Sequence, residues 1–477
     1  MNFKHKTLLA GFWNFFERSY NQLIRFILNI ILARLLFPSD YGMIGMITIF
    51  LAISQSFIEG GFVNALIQKQ DRTENDFYTA FYFNIFVSLL FYLIFFLIAP
   101  LVSQFYNVPK LTNIMRVITI SIIFNSLSIV PRSKLAIKLD FKKQAKATTA
   151  AITISGLLSI YLAKIGLGVW TLVVQTITLA FLNSLFLFIL VKWKPRLLFS
   201  LENFKDLFGF GSKLLIANLI DRLFRNIYYL VIGKFYTTDQ LGNFTRAEQF
   251  SQIPVTNIAG VINSVTFPGM CELQDNTLML KKNYIRNIKF AAFISFPVLL
   301  FLVFFAKPII LFTLTEKWID VAPLLTLLAI AGLIYPINFL NMNLLLAKKR
   351  SDLYLKLVFI TKTVTIVVLF ITVKLGIPAI IYGQIAVAVI SLFINFYYTN
   401  KMIDYGIGKQ LMDIIPLLVL GITSVGFSYF LSSYFIENWI KIIIGCSISI
   451  ILYLSVIYLS NFKNIRTEII MLLNKPS

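Results

Sequence analysis

Arginines and amides recur at helical spacing in two stretches that are otherwise strongly apolar. In the first, Asn14, Arg18, Gln22, Arg25 and Asn29 follow one another every three or four residues. At 100° per residue they fall within an arc of about 80° on one helix. In the second, Asn218, Arg222, Arg225 and Tyr229 form a similar stripe with Asp221 beside it. Guanidinium groups suit bidentate contact with phosphate or carboxylate, so the chemistry on offer is the binding of an anion. An Arg at the centre of a spanning helix costs about 2.5–3.5 kcal/mol, and Arg25, Arg222 and Arg225 facing lipid together would cost on the order of 8–10 kcal/mol. They must meet water, a counter-ion or a ligand. Plainer roles exist for some of them: Arg18 can snorkel to a membrane surface, and Arg222 or Arg225 can pair with Asp221. Carboxylates within helices are few: Glu17, Glu59, Asp221 and Glu248. Such groups are candidates for coupling to H+ or Na+. Glu59 precedes Gly60-Gly61, where a helix break would free backbone groups for an ion, and Asp221 adjoins the second stripe. A fixed ion pair is the competing role for both.

The elements that position these residues are membrane helices. The 477-residue chain is 58% hydrophobic and only 13% charged, whereas a soluble domain is about a quarter charged. Long apolar runs without alternation, such as residues 81–97, exclude a β-barrel. The formal charge of +22 would signal nucleic acid in a soluble protein; here the positive-inside rule accounts for it. Cys271, Cys446 and the single His5 have no metal-ligand spacing, so neither a metal site nor a cofactor is expected. Fourteen helices are predicted, near 9–36, 41–66, 77–99, 111–131, 147–163, 168–191, 209–233, 239–268, 288–314, 321–347, 353–373, 377–399, 411–433 and 439–459. Alternate loops are basic, the densest being Arg132–Lys146, while the opposite loops hold single cations such as Lys110, Lys164 and Lys317. This bias places both termini in the cytoplasm. The first apolar run is too long for a cleavable signal.

An internal repeat runs beneath this pattern. At an offset of 200, Arg25 falls on Arg225, and the turn at 37–42 falls on that at 237–242. With small drifts, Pro100 matches Pro308, and Lys164, Gly166 and Gln175 match Lys374, Gly376 and Gln384. The expected fold is an all-α integral membrane protein with two pseudo-symmetric six-helix bundles, 1–200 and 201–400, followed by two further helices and a tail in 401–477. A parallel repeat of this kind places the substrate path between its halves.

The stretches FKDLFGFGSKLL (204–215), NIYYLVIGKFYTTDQLGNFTRAEQF (226–250), KRSDLYLKL (349–357), ALIQKQDRTENDF (65–77), LDFKK (139–143), GVWTLVVQ (168–175) and EKW (316–318) carry a resemblance over essentially the whole chain. It resembles the polysaccharide-exporter (Wzx-type, colanic-acid-exporter-like) flippases of the multidrug/oligosaccharidyl-lipid/polysaccharide superfamily. The resemblance implies an inner-membrane transporter alternating between inward-open and outward-open states. Its implied cargo is an undecaprenyl-diphosphate-linked oligosaccharide, with membrane lipids and the polysaccharide polymerase machinery as partners. No site motif of the family transfers residue by residue. The alternatives are a lipid II flippase and a cation-coupled drug antiporter of the same fold; the antiporter would favour an acidic cleft. A membrane glycosyltransferase, polymerase or ligase is disfavoured by the short loops opposite the basic ones, which cluster no His and carboxylates.

Overall fold

The computed structural model describes residues 20–59 and 62–459, which among themselves contain helices and no strand. The helices are α1 (20–35), α2 (Pro38–Glu59), α3 (Phe62–Gln68), α4 (Glu74–Tyr106), α5 (Leu111–Ile118), α6 (Ile120–Ile137), α7 (Phe141–Lys164), α8 (Val169–Val191), α9 (Leu201–Phe235), α10 (Thr238–Glu272), α11 (Thr277–Thr313), α12 (Val321–Ala347), α13 (Ser351–Thr372), α14 (Ile377–Ile403), α15 (Ile407–Ser432) and α16 (Asn438–Leu459). Within the described residues each predicted segment falls on helix, the segment 111–131 being shared between α5 and α6; residues 9–19 of the first segment and 60–61 of the second lie outside them. Among the described residues, eleven segments are long and apolar enough to cross a membrane. The described part of α1, together with α9 and α10, is not among them; α1 and α9 carry the two polar stripes, and α10 includes Asp239, Arg246 and Glu248.

Several helices overrun their predicted ends. The 33 residues of α4 and the 37 of α11 are about 50 and 55 Å long at 1.5 Å per residue, against a hydrocarbon core of about 30 Å. Hydropathy detects only the part that needs lipid, while the helix continues through polar turns on either side. α6 passes through Pro131 and ends at Ile137, and α7 begins at Phe141 behind the Asp140 cap, whose Oδ1 accepts the Lys143 N–H. The predicted Arg132–Lys146 loop is thereby reduced to a short turn between two helix ends. A proline inside a packed membrane helix is tolerated because neighbouring groups satisfy the freed carbonyl.

The chain forms two compact units, 1–242 and 243–477. In the first, Phe62, Leu66, Phe77, Phe81, Val130 and Leu207 make an aromatic-rich core. One end of that core is closed by charge. Asp76, fully buried, takes Lys69 at 3.0 Å and the Thr73 N–H at 2.7 Å, an N-terminal cap on α4. Lys134 reaches Glu74 at 2.6 Å, and Trp193 Nε1 donates to the same carboxylate at 3.0 Å. Hydrogen bonding to Asp76 raises the pKa of Lys69 above the ordinary lysine range, so Lys69 stays charged at neutral pH.

In the second unit, α11, α12, α14, α15 and α16 share one core that includes Tyr284, Phe296, Phe305, Leu340, Phe396, Leu417 and Tyr453. Several polar groups inside it are satisfied from neighbouring helices. Asn341 Oδ1 accepts from Tyr284 Oη at 2.8 Å and from Thr399 Oγ1 at 2.5 Å, and Asn395 Nδ2 donates to Asn338 Oδ1 at 3.0 Å.

The turn between α1 and α2 is repeated 200 residues later between α9 and α10. Helix ends at 35 and 235 and resumes at Pro38 and Thr238. The Phe37 N–H donates to Asp40 Oδ2 at 3.0 Å, and the Thr237 N–H donates to Gln240 Oε1 at 3.1 Å. The two turns also touch reciprocally. A Cβ on Gly42 would overlap the Thr238 carbonyl, and one on Gly242 would overlap the Pro38 carbonyl. Neither backbone carbonyl can move aside as a flexible side chain could. Gly42→Ala or Gly242→Ala should therefore cost about 1–3 kcal/mol through overpacking. The expected readout is a melting temperature lowered by several degrees in detergent. Gly260→Ala, with open space around it, should be neutral or slightly stabilising; equal effects at all three positions would contradict the reciprocal contact.

Candidate functional site

The second polar stripe and a face of α2 meet in the amino-terminal unit. Thr48, Leu51, Ala52 and Gln55 of α2 and Asn218, Asp221, Arg222, Arg225 and Asn226 of α9 line a cavity of about 540 Å³. Both sets follow the three-and-four spacing of one helix face. Arg225 Nε lies 2.8 Å from Asp221 Oδ2, with side chains 67% and 49% exposed. Asn226 Nδ2 donates to the Arg222 carbonyl at 2.7 Å.

A neighbouring cavity of about 480 Å³ shares Leu51, Gln55 and Asn218 with the first. Its remaining polar wall comes from Ser54 of α2, Ser121, Asn125, Ser128 and Arg132 of α6, and Thr176 and Asn183 of α8. Among the described residues, the side chains of Arg132, Asn125 and Asn218 make no hydrogen bond or ion pair. The hydroxyls are different. Thr48, Ser54, Ser128 and Thr176 each donate to a carbonyl of their own helix at 2.7–2.9 Å, so they offer the cavity only lone pairs. Among the described residues, the two walls together hold three guanidiniums and one carboxylate. Asn, Gln and hydroxyl groups supply the rest of the polar surface. Guanidiniums of this kind bind phosphate or carboxylate oxygens in paired hydrogen bonds, and amides match the mixed donors and acceptors of sugar hydroxyls.

The structure brings together Asn218, Asp221, Arg222 and Arg225 of the predicted site. Gln22, Arg25 and Asn29 stand on α1 outside the lining of either cavity, Gln22 and Asn29 half-buried and Arg25 with an accessible side chain. The charge of Arg25 is nevertheless close enough to that of Arg132 for the two to repel. Tyr229 is half-buried on α9, also outside both cavities. Arg18 and the side chain of Glu59 lie outside the described residues. Asp221, a candidate for ion coupling, is engaged by Arg225, the pairing noted from sequence as its plainer role.

Arg132 corrects the sequence reading, which ended the helix at 131 and left Arg132 in a basic loop, whereas α6 continues to Ile137. A signal was present: Ser121, Asn125, Ser128 and Arg132 recur every three or four residues and so mark one polar face. The same pattern joins Thr48 to Gln55 across Leu51 and Ala52. Neither stripe is dense enough in charge to stand out from an apolar run.

A multi-pass helical membrane protein with an anion-suited cavity is the class that fold and site define. The fold matches that of the lipid II flippase MurJ in an inward closed conformation, with a TM-score of 0.76, 15% identity, and coverage of 94% of this chain and 98% of that one. The family model for polysaccharide biosynthesis proteins matches residues 31–323, and the chain belongs to that family, within the polysaccharide-exporter branch its sequence resembles. The teichuronic acid biosynthesis protein TuaB of Bacillus subtilis (strain 168) is 28% identical over 303 residues, which span 63% of this chain and 62% of TuaB. The lipopolysaccharide biosynthesis protein WzxC of Escherichia coli (strain K12) is 22% identical over 415 residues, 85% of this chain and 81% of WzxC.

The excess of guanidinium charge has a measurable consequence. In a background lacking Cys271 and Cys446, an Asn125→Cys thiol should react several-fold faster with an anionic methanethiosulfonate than with its cationic analogue. Arg132→Gln should remove most of that preference. Equal rates for the two reagents, with or without Arg132, would show that the cavity is not electropositive.

Proposed function

We propose that this protein is a transporter, not an enzyme, that flips an undecaprenyl-diphosphate-linked oligosaccharide across the bacterial inner membrane by alternating access. The observation that carries the proposal is the pair of adjoining cavities, with three guanidiniums against one carboxylate and amides between them. A diphosphate of charge near −2 needs cations that replace part of its hydration yet release it on the far side. Arginines that stay accessible in a wet cavity meet both demands. Membership of the polysaccharide biosynthesis family and the names of TuaB and WzxC favour a polysaccharide repeat unit as the sugar part. The same considerations favour this cargo over a cationic drug, for which a basic wall is unsuited.

The topology that goes with this function has fourteen spans and two six-helix repeats. The polar helices α1, α9 and α10 serve as spans because their polar faces meet water instead of lipid. The reciprocal turns at 38–42 and 238–242 support the repeat. Both termini and the α6–α7 turn are cytoplasmic on this reading, so a Lys142→Cys thiol should resist membrane-impermeant reagents applied to intact cells. Strong labelling there would reverse the orientation.

Arg225 and Arg132 contact the diphosphate, and Arg25 adds to the positive field from α1. Asp221 is the point where H+ or Na+ would compete with Arg225, with Glu59 as the second coupling candidate. Each Arg–phosphate contact is worth about 1.5–3 kcal/mol as a charge-assisted hydrogen bond. Arg225→Ala or Arg132→Ala should therefore reduce polysaccharide export roughly 10-fold or more at matched protein level, with lipid-linked oligosaccharide accumulating inside. Lys should rescue partly, because it keeps the charge and loses the fork. Glu should be worse than Ala. Normal export by all three substitutions at both positions would overturn the anionic-cargo assignment.

A further inference from the structure

The carboxy-terminal unit has a basic pocket of its own, made by none of the residues discussed above. It measures about 330 Å³ and is lined by Lys348, Arg350, Leu353, Tyr398, Lys401 and Met402. These residues come from the end of α12, the start of α13 and the end of α14. α13 and α14 run antiparallel, tied at mid-length by Thr361 and Ser391 at 3.3 Å, so the start of one lies beside the end of the other.

The pocket's charge is only partly neutralised. Arg350 is held by Asp352 through two hydrogen bonds of 2.8 and 2.7 Å. Lys348 Nζ donates to neutral oxygens only, the Gln274 carbonyl at 2.7 Å and Thr277 Oγ1 at 3.4 Å. Among the described residues, Lys401 has neither a hydrogen bond nor an ion pair. The next carboxylate along the chain, Asp404, lies 3.6 Å from Lys281. Two ammonium groups thus face one pocket without an acid between them.

The helices that build the pocket also carry apolar stripes leading away from it. On α13, Leu355, Phe359, Ile366 and Phe370 are exposed, and on α14, Tyr397, Phe393, Ile390 and Tyr382 are exposed. Both stripes begin within a turn of the pocket and follow one helix face each. A soluble anion would use the cations and leave these stripes irrelevant. A ligand with a phosphate at one end and hydrocarbon behind it would use both. We propose that this pocket binds the headgroup phosphate of an anionic phospholipid, with its acyl chains lying along α13 and α14. Basic pockets between spanning helices on the cytoplasmic side take such headgroups. Tyr398 and Met402 supply the wall where headgroup gives way to chain.

The test is native mass spectrometry of the full-length protein, titrated with dioleoyl-phosphatidylglycerol or dioleoyl-phosphatidylcholine. Phosphatidylglycerol should bind in preference. Lys401→Ala should weaken it about fivefold, the effect of one Lys at an anionic headgroup, and leave phosphatidylcholine binding unchanged. Lys401→Arg should restore it. Lys401 is exposed and unbonded, so neither variant threatens the fold. Three outcomes would overturn the proposal: equal binding of the two lipids, unchanged phosphatidylglycerol binding by Lys401→Ala, or full displacement of the lipid by excess inorganic phosphate, which would mark a site for soluble anions.

Discussion

Hydrocarbon offers no hydrogen bonds, and every other property of this structure answers to that. Backbone N–H and C=O groups must be paired within their own segment, which is why the described chain is helical throughout. Side chains face the same demand. Thr48 and Ser54 of α2, Ser128 of α6 and Thr176 of α8 give their protons back to their own helices. In the second unit Asn341 pairs with Tyr284 and Thr399. A few buried groups, such as the Asn84 amide, keep no partner among the described residues.

Charge is sorted by the same rule into two kinds. Some cations are tied down: Lys69 to Asp76, Lys134 to Glu74, Lys289 to Asp413 at 2.9 Å. The first two pairs close the start of α4, and the third ties α11 to α15. Inside the amino-terminal unit the balance changes. Arg225 has an acid and, among the described residues, Arg132 has none, and the surrounding amides are similarly underused. Leaving such groups open carries the cost of a polar group withdrawn from bulk water. Accessible charge without a partner is therefore the feature that supports reading this wall as a binding surface.

Much of this was legible in sequence, for identifiable reasons. An apolar run of spanning length is a strong signal, so the predicted segments fall on helix wherever the structure describes them. The α9 stripe was legible because three charged residues, Asp221, Arg222 and Arg225, interrupt such a run. Helix ends were not, since hydropathy marks the lipid boundary and α4 and α11 continue well beyond it. Arg132 was lost for a related reason: the apolar run ends at about 131, but α6 continues to Ile137. The faces of α2 and α6 rely on small hydroxyls and amides, whose weak polarity disappears in a window average. Which stripe residues share a cavity depends on how helices rotate against each other, and spacing along one helix carries no such information. That is why Gln22, Arg25 and Asn29 were grouped with residues whose cavities they do not line.

The reciprocal meeting of Gly42 with Thr238 and Gly242 with Pro38 has the logic of an isologous interface, in which patch i meets patch j and j meets i. In a homodimer one codon would serve both sides, and any substitution would strike the contact twice. Here each side is encoded separately, and the caps have already diverged: Asp40 on one side and Gln240 on the other keep the same acceptor role with different charge. The glycines have not had that latitude, because each faces a main-chain oxygen that no neighbouring mutation can shorten. A reciprocal contact within one chain thus leaves its capping side chains free to differ while its backbone keeps a single close-packed geometry.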